Sequence, residues 1–160
     1  MPSHYRGTKS QVTALNAFIN FARASDSLLT RIGNKLEAEG FTMGQFGVME
    51  ALFHLGSMCQ KELGEKLLKS GGNITVVIDN LEKRGWVRRE QQTDDRRKFV
   101  VHLTAAGRRV IAEVFPRHAA MLAKEMSRLD ATEQETLRNL CRKLGRGNDL
   151  ENQQPMGREK

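Results

Sequence analysis

The sequence predicts a mainly α-helical fold carrying one small β-hairpin, and three observations predict it. Apolar residues recur at three-to-four spacing along most of the 160 residues. Between Trp86 and Leu103 that period gives way to two short runs rich in aromatic and β-branched residues. Helix-starting residues (Thr42, Ser70, Thr104, Asp130) alternate with helix-stopping glycines (Gly40, Gly56, Gly85) along the chain.

Taken in order, Val12 to Glu39 sets Leu15, Phe18, Ile19, Ala22, Leu28, Leu29, Ile32 and Leu36 on one face of a long helix. The spacing predicts that this face is buried, and Gly40 ends the helix. Thr42, with Gln45 three residues on, reads as a capping box. It opens a second helix carrying Phe46, Val48, Met49 and Leu52, and Gly56 closes it. "QKELGEKLLK" is a short third helix with Leu63, Leu67 and Leu68. "SGG" is a tight turn with Ser70 as cap, and a fourth helix runs from it to Gly85.

"WVRRE" and "KFVVHL" flank "QQTDDRR" and read as a two-stranded hairpin with a charged tip. Phe99, Val101 and Leu103 alternate with Lys98, Val100 and His102, so His102 is expected to face outward without a special role. Trp86 is expected to pack under the hairpin. Thr104 caps a fifth helix that Pro116 bends rather than ends, because Met121, Leu122 and Met126 continue its pattern. Asp130 or Thr132 opens the last helix, which ends near Leu144.

A short helix, a tight turn, a second helix and a hairpin make the arrangement of a winged helix-turn-helix. The expected organisation is an N-terminal arm and first dimerisation helix over 1–40 and a winged-helix lobe over 41–103. C-terminal dimerisation helices follow over 104–146, and a flexible tail over 147–160. A homodimer is expected because one such lobe buries too little DNA surface for tight specific binding.

The charge narrows the partners. A net charge of +7 favours an anionic partner. No apolar run reaches the roughly 18–20 residues of a membrane span, and the start lacks the apolar stretch of a signal peptide, so a cytoplasmic protein is expected. The two cysteines, Cys59 and Cys141, are too few for a disulfide framework and show no metal-ligand spacing. Nucleophile elbow, phosphate-binding glycine loop and paired carboxylates are all missing, so neither an enzyme nor a cofactor is expected.

The fourth helix carries the clearest functional signal. At about 100° per residue, Ile74, Val77, Ile78 and Leu81 fall on one side. The other side holds Gly72, Thr75, Val76, Asp79 and Lys83, with Asn73 and Asn80 at its edges. Such small or hydrogen-bonding side chains let a helix approach base edges in the major groove, Asn pairing with adenine and the methyls of Thr75 or Val76 touching thymine. Free N–H groups near Gly71 and Gly72 suit a phosphate. The candidate DNA-reading residues are therefore Ser70, Gly71, Gly72, Asn73, Thr75, Val76 and Lys83.

At the hairpin tip, Arg96 and Arg97 are placed to reach the flanking backbone or minor groove, with Asp95 orienting an arginine. Lys98, Arg88 and Arg89 extend the positive strip. Phe46, Met49, Phe53 and His54 are candidate lining for an effector pocket where the second helix meets the terminal helices; the alternative is plain core. Cys59, at the start of the third helix, is a candidate redox residue, against the reading of an inert buried thiol. An architectural protein that uses its charge non-specifically is the alternative function, and it would need no small outward helix face.

"GFTMGQFGVMEAL", "QKELGEKLLKSGGNITVVIDNLEKRGWVRRE" and "DDRRKFVVHLTAAG" together resemble the MarR (multiple-antibiotic-resistance regulator) family of bacterial transcription factors. The resemblance spans Val12 to Leu144 and centres on the pattern of Asp95, Arg97, Val101, Leu103, Thr104 and Gly107. It implies a homodimer with intertwined first and last two helices, and two winged lobes reading a pseudo-palindromic operator. It implies repression relieved by a small phenolic or aromatic ligand or by cysteine oxidation. The matching motifs carry over Gly71 to Arg84 as recognition helix and Arg97 as wing arginine. Many members have an arginine where this chain has Val76, so that contact is not carried over.

Overall fold

The computed structural model describes residues 4–67, 71–92 and 98–145. Leu68, the Ser70 cap, the hairpin tip with Asp95, Arg96 and Arg97, and the 147–160 tail lie outside the described residues. The elements run α1 (Lys9–Ala38), α2 (Met43–Leu55), β1 (Met58–Cys59), α3 (Gln60–Lys66), α4 (Gly71–Lys83), β2 (Val87–Gln91), β3 (Phe99–Leu103), α5 (Ala105–Met126) and α6 (Ala131–Gly145). They divide into two compact units, the first ending at Met121 and the second starting at Leu122.

The helix ends follow local chemistry. α1 begins at Lys9 rather than Val12, because Thr8 and Gln11 form a capping box. Thr42 and Gln45 make the same reciprocal pair ahead of α2, at 3.1 and 3.2 Å. Asp130, not Thr132, opens α6: its carboxylate accepts from the Glu133 N–H at 2.9 Å, and Glu133 accepts from the Asp130 N–H at 2.9 Å. α5 continues through Pro116.

Two helices end in the same way. Gly40 at φ 82° lets the Gly40 N–H reach Glu37 O (2.9 Å) and the Phe41 N–H reach Leu36 O (2.9 Å). Gly85 at φ 69° repeats the pattern for α4, with Gly85 N–H to Glu82 O (2.8 Å) and Trp86 N–H to Leu81 O (3.1 Å). These are Schellman caps, and only glycine adopts their left-handed residue without strain. The two residues that follow the caps then meet: Phe41 stacks on Trp86 with ring centroids 5.0 Å apart. Arg84 lies over the other part of this junction, its guanidinium 4.1 Å from the Trp86 ring and its Nη1 donating to Gly40 O at 2.7 Å. Trp86 therefore packs on the end of α1, a contact the hairpin reading did not contain.

The sheet has three antiparallel strands in the order β1-β3-β2, so the two-stranded hairpin gains a partner. β1 pairs Met58 with Val101 and Cys59 with Val100, while β2 pairs Val87 with Leu103 and Arg89 with Val101. Two residues show no alternation, so β1 had no local signal; its pairing is a tertiary contact.

The core of the first unit gathers Leu36, Phe41, Val48, Met49, Leu52, Leu63, Ile74, Ile78, Leu81, Val87, Val101 and Ile111, all buried. Each such side chain contributes about 1.5–3 kcal/mol relative to exposure. α1 departs from expectation: only Ile32 and Leu36 are buried, whereas Leu15, Phe18, Phe21 and Leu29 are exposed, Phe18 at 66%. The apolar stripe is real, but among the described residues nothing covers its N-terminal half. In the second unit no residue of α6 is buried, and Leu137, Leu140 and Leu144 are exposed.

α5 is attached to the α4 cap by Thr104. Its N–H donates to Trp86 O (3.0 Å), its Oγ1 donates to Gly85 O (2.7 Å) and accepts from the Gly107 N–H (3.0 Å). A Cβ at Gly107 would overlap the Trp86 carbonyl. Gly107→Ala is therefore expected to lower stability by about 1–3 kcal/mol or more in urea unfolding. Gly72→Ala, where an added Cβ meets open space, is the control. Equal midpoints for Gly107→Ala and wild type would refute the close approach.

Candidate nucleic-acid interface

α4 presents the two faces that its sequence spells. Ile74, Val77, Ile78 and Leu81 are buried, the last two completely. Gly72, Asn73, Asn80 and Lys83 are exposed, and Val76 is 59% exposed. Gly71 is the first helical residue, and Lys98 is exposed just before β3. Thr75 and Asp79 differ from their neighbours in being half-buried, because both are held by other elements. The Gln60 amide of α3 donates to Thr75 Oγ1 at 2.8 Å.

Asp79 is held by Arg89 of β2. The Arg89 guanidinium donates to the Asp79 carboxylate, to Glu82 Oε2 (3.4 Å) and to the Thr75 carbonyl (3.3 Å), while its backbone N–H donates to Glu82 Oε1 (2.9 Å). The Arg89 side chain is only 20% exposed. Arg89 thus leaves the positive strip expected of it and becomes a fork that neutralises two carboxylates of α4. Arg88 is likewise engaged, with Glu90 at 2.7 Å. That hydrogen bond, and then the charges of Arg88 and His102, hold the Glu90 carboxyl below its ordinary range.

His102 is also not an idle outward residue. It is half-buried, with Nδ1 2.7 Å from Ser57 Oγ and Nε2 3.4 Å from Glu90 Oε2. It joins the middle strand to the turn after α2. Strand alternation carries no sign of this, since Ser57 lies far away in sequence.

Cys59 is half-buried at the junction of β1 and α3, where its N–H donates to Glu62 Oε2 at 3.0 Å. Cys141 is half-buried on α6. Of the candidate effector residues, Phe46 and Met49 are in the core. Phe53 is half-buried and His54 exposed; the His54 ring lies 5.0 Å from Phe53 and 4.5 Å from Phe115.

A cavity of about 270 Å³ lies elsewhere in the first unit, lined by Lys35, Leu36, Ala38 and Glu39 of α1 and Val114, Arg117, His118 and Met121 of α5. Phe46 does not line it but packs on His118, with ring centroids 4.2 Å apart. Arg117 meets Glu39 in a fork, Nε to Oε1 at 3.1 Å and Nη2 to Oε2 at 2.6 Å. The Arg117 hydrogen bond holds the Glu39 carboxyl below its ordinary range against the opposing effect of burial. His118 is 9% exposed, its Nδ1 has no hydrogen-bond partner among the described residues, and burial pushes its pKa below 6.5 against the pull of Glu50. The pocket was missed because it joins residues far apart in sequence; the adjacent polar pair Arg117 and His118 on a helix was the one available hint.

A sequence model of the MarR family matches residues 41–99. The chain is 36% identical over 132 residues to an uncharacterized HTH-type transcriptional regulator, YkoM, of Bacillus subtilis (strain 168), covering 82% of this chain and 86% of that protein. Among solved structures, it is similar to Sco3205, a MarR family transcriptional regulator of Streptomyces coelicolor, in complex with DNA. The TM-score is 0.80 at 21% identity, over 92% of this chain and 93% of that one. It is also similar to NadR in complex with 4-hydroxyphenylacetate, with TM-score 0.66 at 21% identity, over 90% and 97% of the two chains.

The neutral burial of His118 has a pH consequence. Its folded pKa lies below the unfolded value of 6.5, so its contribution to stability is complete above pH 6.5 and is lost as pH falls through the folded value. Urea midpoints at successive pH values are expected to fall as pH drops below 6.5 in wild type, and to fall less in His118→Gln. Parallel curves would place the titrating group elsewhere.

Proposed function

Since the chain belongs to the MarR family of winged helix-turn-helix transcriptional regulators, we propose that it is a cytoplasmic repressor that binds a pseudo-palindromic operator as a homodimer. The outward face of α4 carries this reading. Gly72, Asn73 and Val76 are exposed and small enough for close approach, and Arg89 neutralises the carboxylates that would otherwise repel phosphate. In this reading Asn73, Thr75 and Val76 meet base edges, and Lys83, Gly71 and Gly72 at the start of α4, and Ser70 before them in the sequence meet phosphate. The wing residues Asp95, Arg96, Arg97 and Lys98 meet the flanking backbone.

The uncovered apolar residues of α1 and of α6 support dimerisation, since neither stripe has a covering partner among the described residues of its own unit. A two-fold dimer sets its recognition helices about one DNA turn apart.

The cavity supports release by a small aromatic acid or phenol. Its apolar walls, Leu36, Val114 and Met121, suit a ring, Lys35 and Arg117 suit a carboxylate, and His118 Nδ1 suits a hydroxyl donor. Release by an oxidant would run through Cys59 instead.

Selecting preferred duplexes from a random pool at about 150 mM salt tests the operator reading, because weak exposed electrostatics are then damped. The expected result is a two-fold-related motif, with Asn73→Ala losing about 1–3 kcal/mol at one position in each half-site. A pool without a motif, and binding that vanishes as salt rises, would instead indicate a non-specific architectural binder.

With the selected duplex in hand, 4-hydroxyphenylacetate is expected to weaken wild-type binding and to act less on Arg117→Ala. Equal weakening of both proteins would remove the cavity from the release step.

A further inference from the structure

Gln60 stands outside every group of residues so far assigned to DNA. It is the first residue of α3, half-buried, and its amide crosses to the outward side of α4 to donate to Thr75 Oγ1 at 2.8 Å. We propose that Gln60 is a positioning residue for base reading: it sets the orientation in which Thr75 meets the major groove.

A threonine in a helix divides between two χ1 rotamers, because its hydroxyl can turn back to the carbonyls of the preceding turn. A fixed donor on the neighbouring helix selects one of them. The same residue is held from the other side, since the Thr75 carbonyl accepts from Arg89 Nη2 of β2 at 3.3 Å. Residue 75 is thus located by α3 through its side chain and by β2 through its backbone. Its neighbours Asn73 and Val76 are exposed. A side chain held within a narrow range of geometry discriminates between base edges better than one that must be ordered on binding.

Packing alone does not account for the pair. An apolar residue at position 60 would fill the same space without a half-buried amide that needs a partner. Gln60→Met has nearly the length and helix propensity of glutamine and removes only the hydrogen-bonding amide.

The inference rests on α4 being the groove helix, and the test separates the two. Preferred duplexes are selected from a random pool with wild type, Gln60→Met, Thr75→Val and the double variant, each full-length, with thermal midpoints measured alongside. Both single variants are expected to relax preference at the same base pair of each half-site by about fivefold or more. The double variant is expected to do no more than the stronger single, because the two residues act as one unit. The salt dependence and the thermal midpoint of Gln60→Met are expected to match wild type.

A wild-type motif that Gln60→Met leaves unchanged would overturn the inference and leave the groove reading intact. So would a uniform affinity loss across all duplexes, or a change at a different base pair that adds to the effect of Thr75→Val. A wild-type chain that selects no motif would overturn the groove reading, and this inference with it.

Discussion

The peptide between Gly85 and Trp86 is the point on which the first unit turns. The carbonyls of Gly85 and Trp86 accept from Thr104, the left-handed Gly85 ends α4, and the absent side chain of Gly107 admits α5 against the Trp86 carbonyl. The Trp86 ring stacks on Phe41 at the end of α1, and Arg84 ties the α4 cap to the Gly40 carbonyl. The ends of α1 and α4, the entry to β2 and the start of α5 are therefore located by one small set of groups. The carbonyls of Gly40, Gly85 and Trp86 each accept a hydrogen bond there, so none is left to depend on solvent alone.

That junction determines what α4 can do. With its C-terminal end fixed and its apolar side sunk into the core, α4 turns its other face outward among the described residues. Two lateral contacts complete its placement: Arg89 from β2 and Gln60 from α3. The charge distribution follows from the same contacts. Carboxylates on α4 and β2 are paired with Arg89 and Arg88, so the exposed part of α4 is close to neutral although the chain carries +7 overall. A neutral face suits close approach to base edges, while long-range attraction to DNA comes from the remaining positive charge. The last turn of α1 belongs both to the junction, through Leu36 and Glu37, and to the wall of the cavity, through Leu36 and Glu39.

Helix starts and stops were legible in the sequence because they are made by residues three to five apart. Thr42 with Gln45, Gly40, Gly56, Gly85 and Thr104 all act where their spacing placed them. The buried side of α4 was legible for the same reason, since a helical period sorts Ile74, Val77, Ile78 and Leu81 without reference to the rest of the chain. The stripe on α1 shows the limit of periodicity: it identifies an apolar face correctly, yet Leu15 and Phe18 are exposed because covering them takes a second surface.

The sequence by itself determined the helical elements, the polarity of their faces and the membership of the MarR family, since these reside in short-range spacing and in a contiguous motif. Tertiary structure alone decided the third strand, the diversion of Arg89 to Asp79 and Glu82, the engagement of His102 with Ser57, and the cavity between Glu39 and Arg117. Each of these depends on which charged or polar group lies nearest in space. A short-range pattern cannot encode that distance: an arginine reads as a free cation until the fold brings a carboxylate to it.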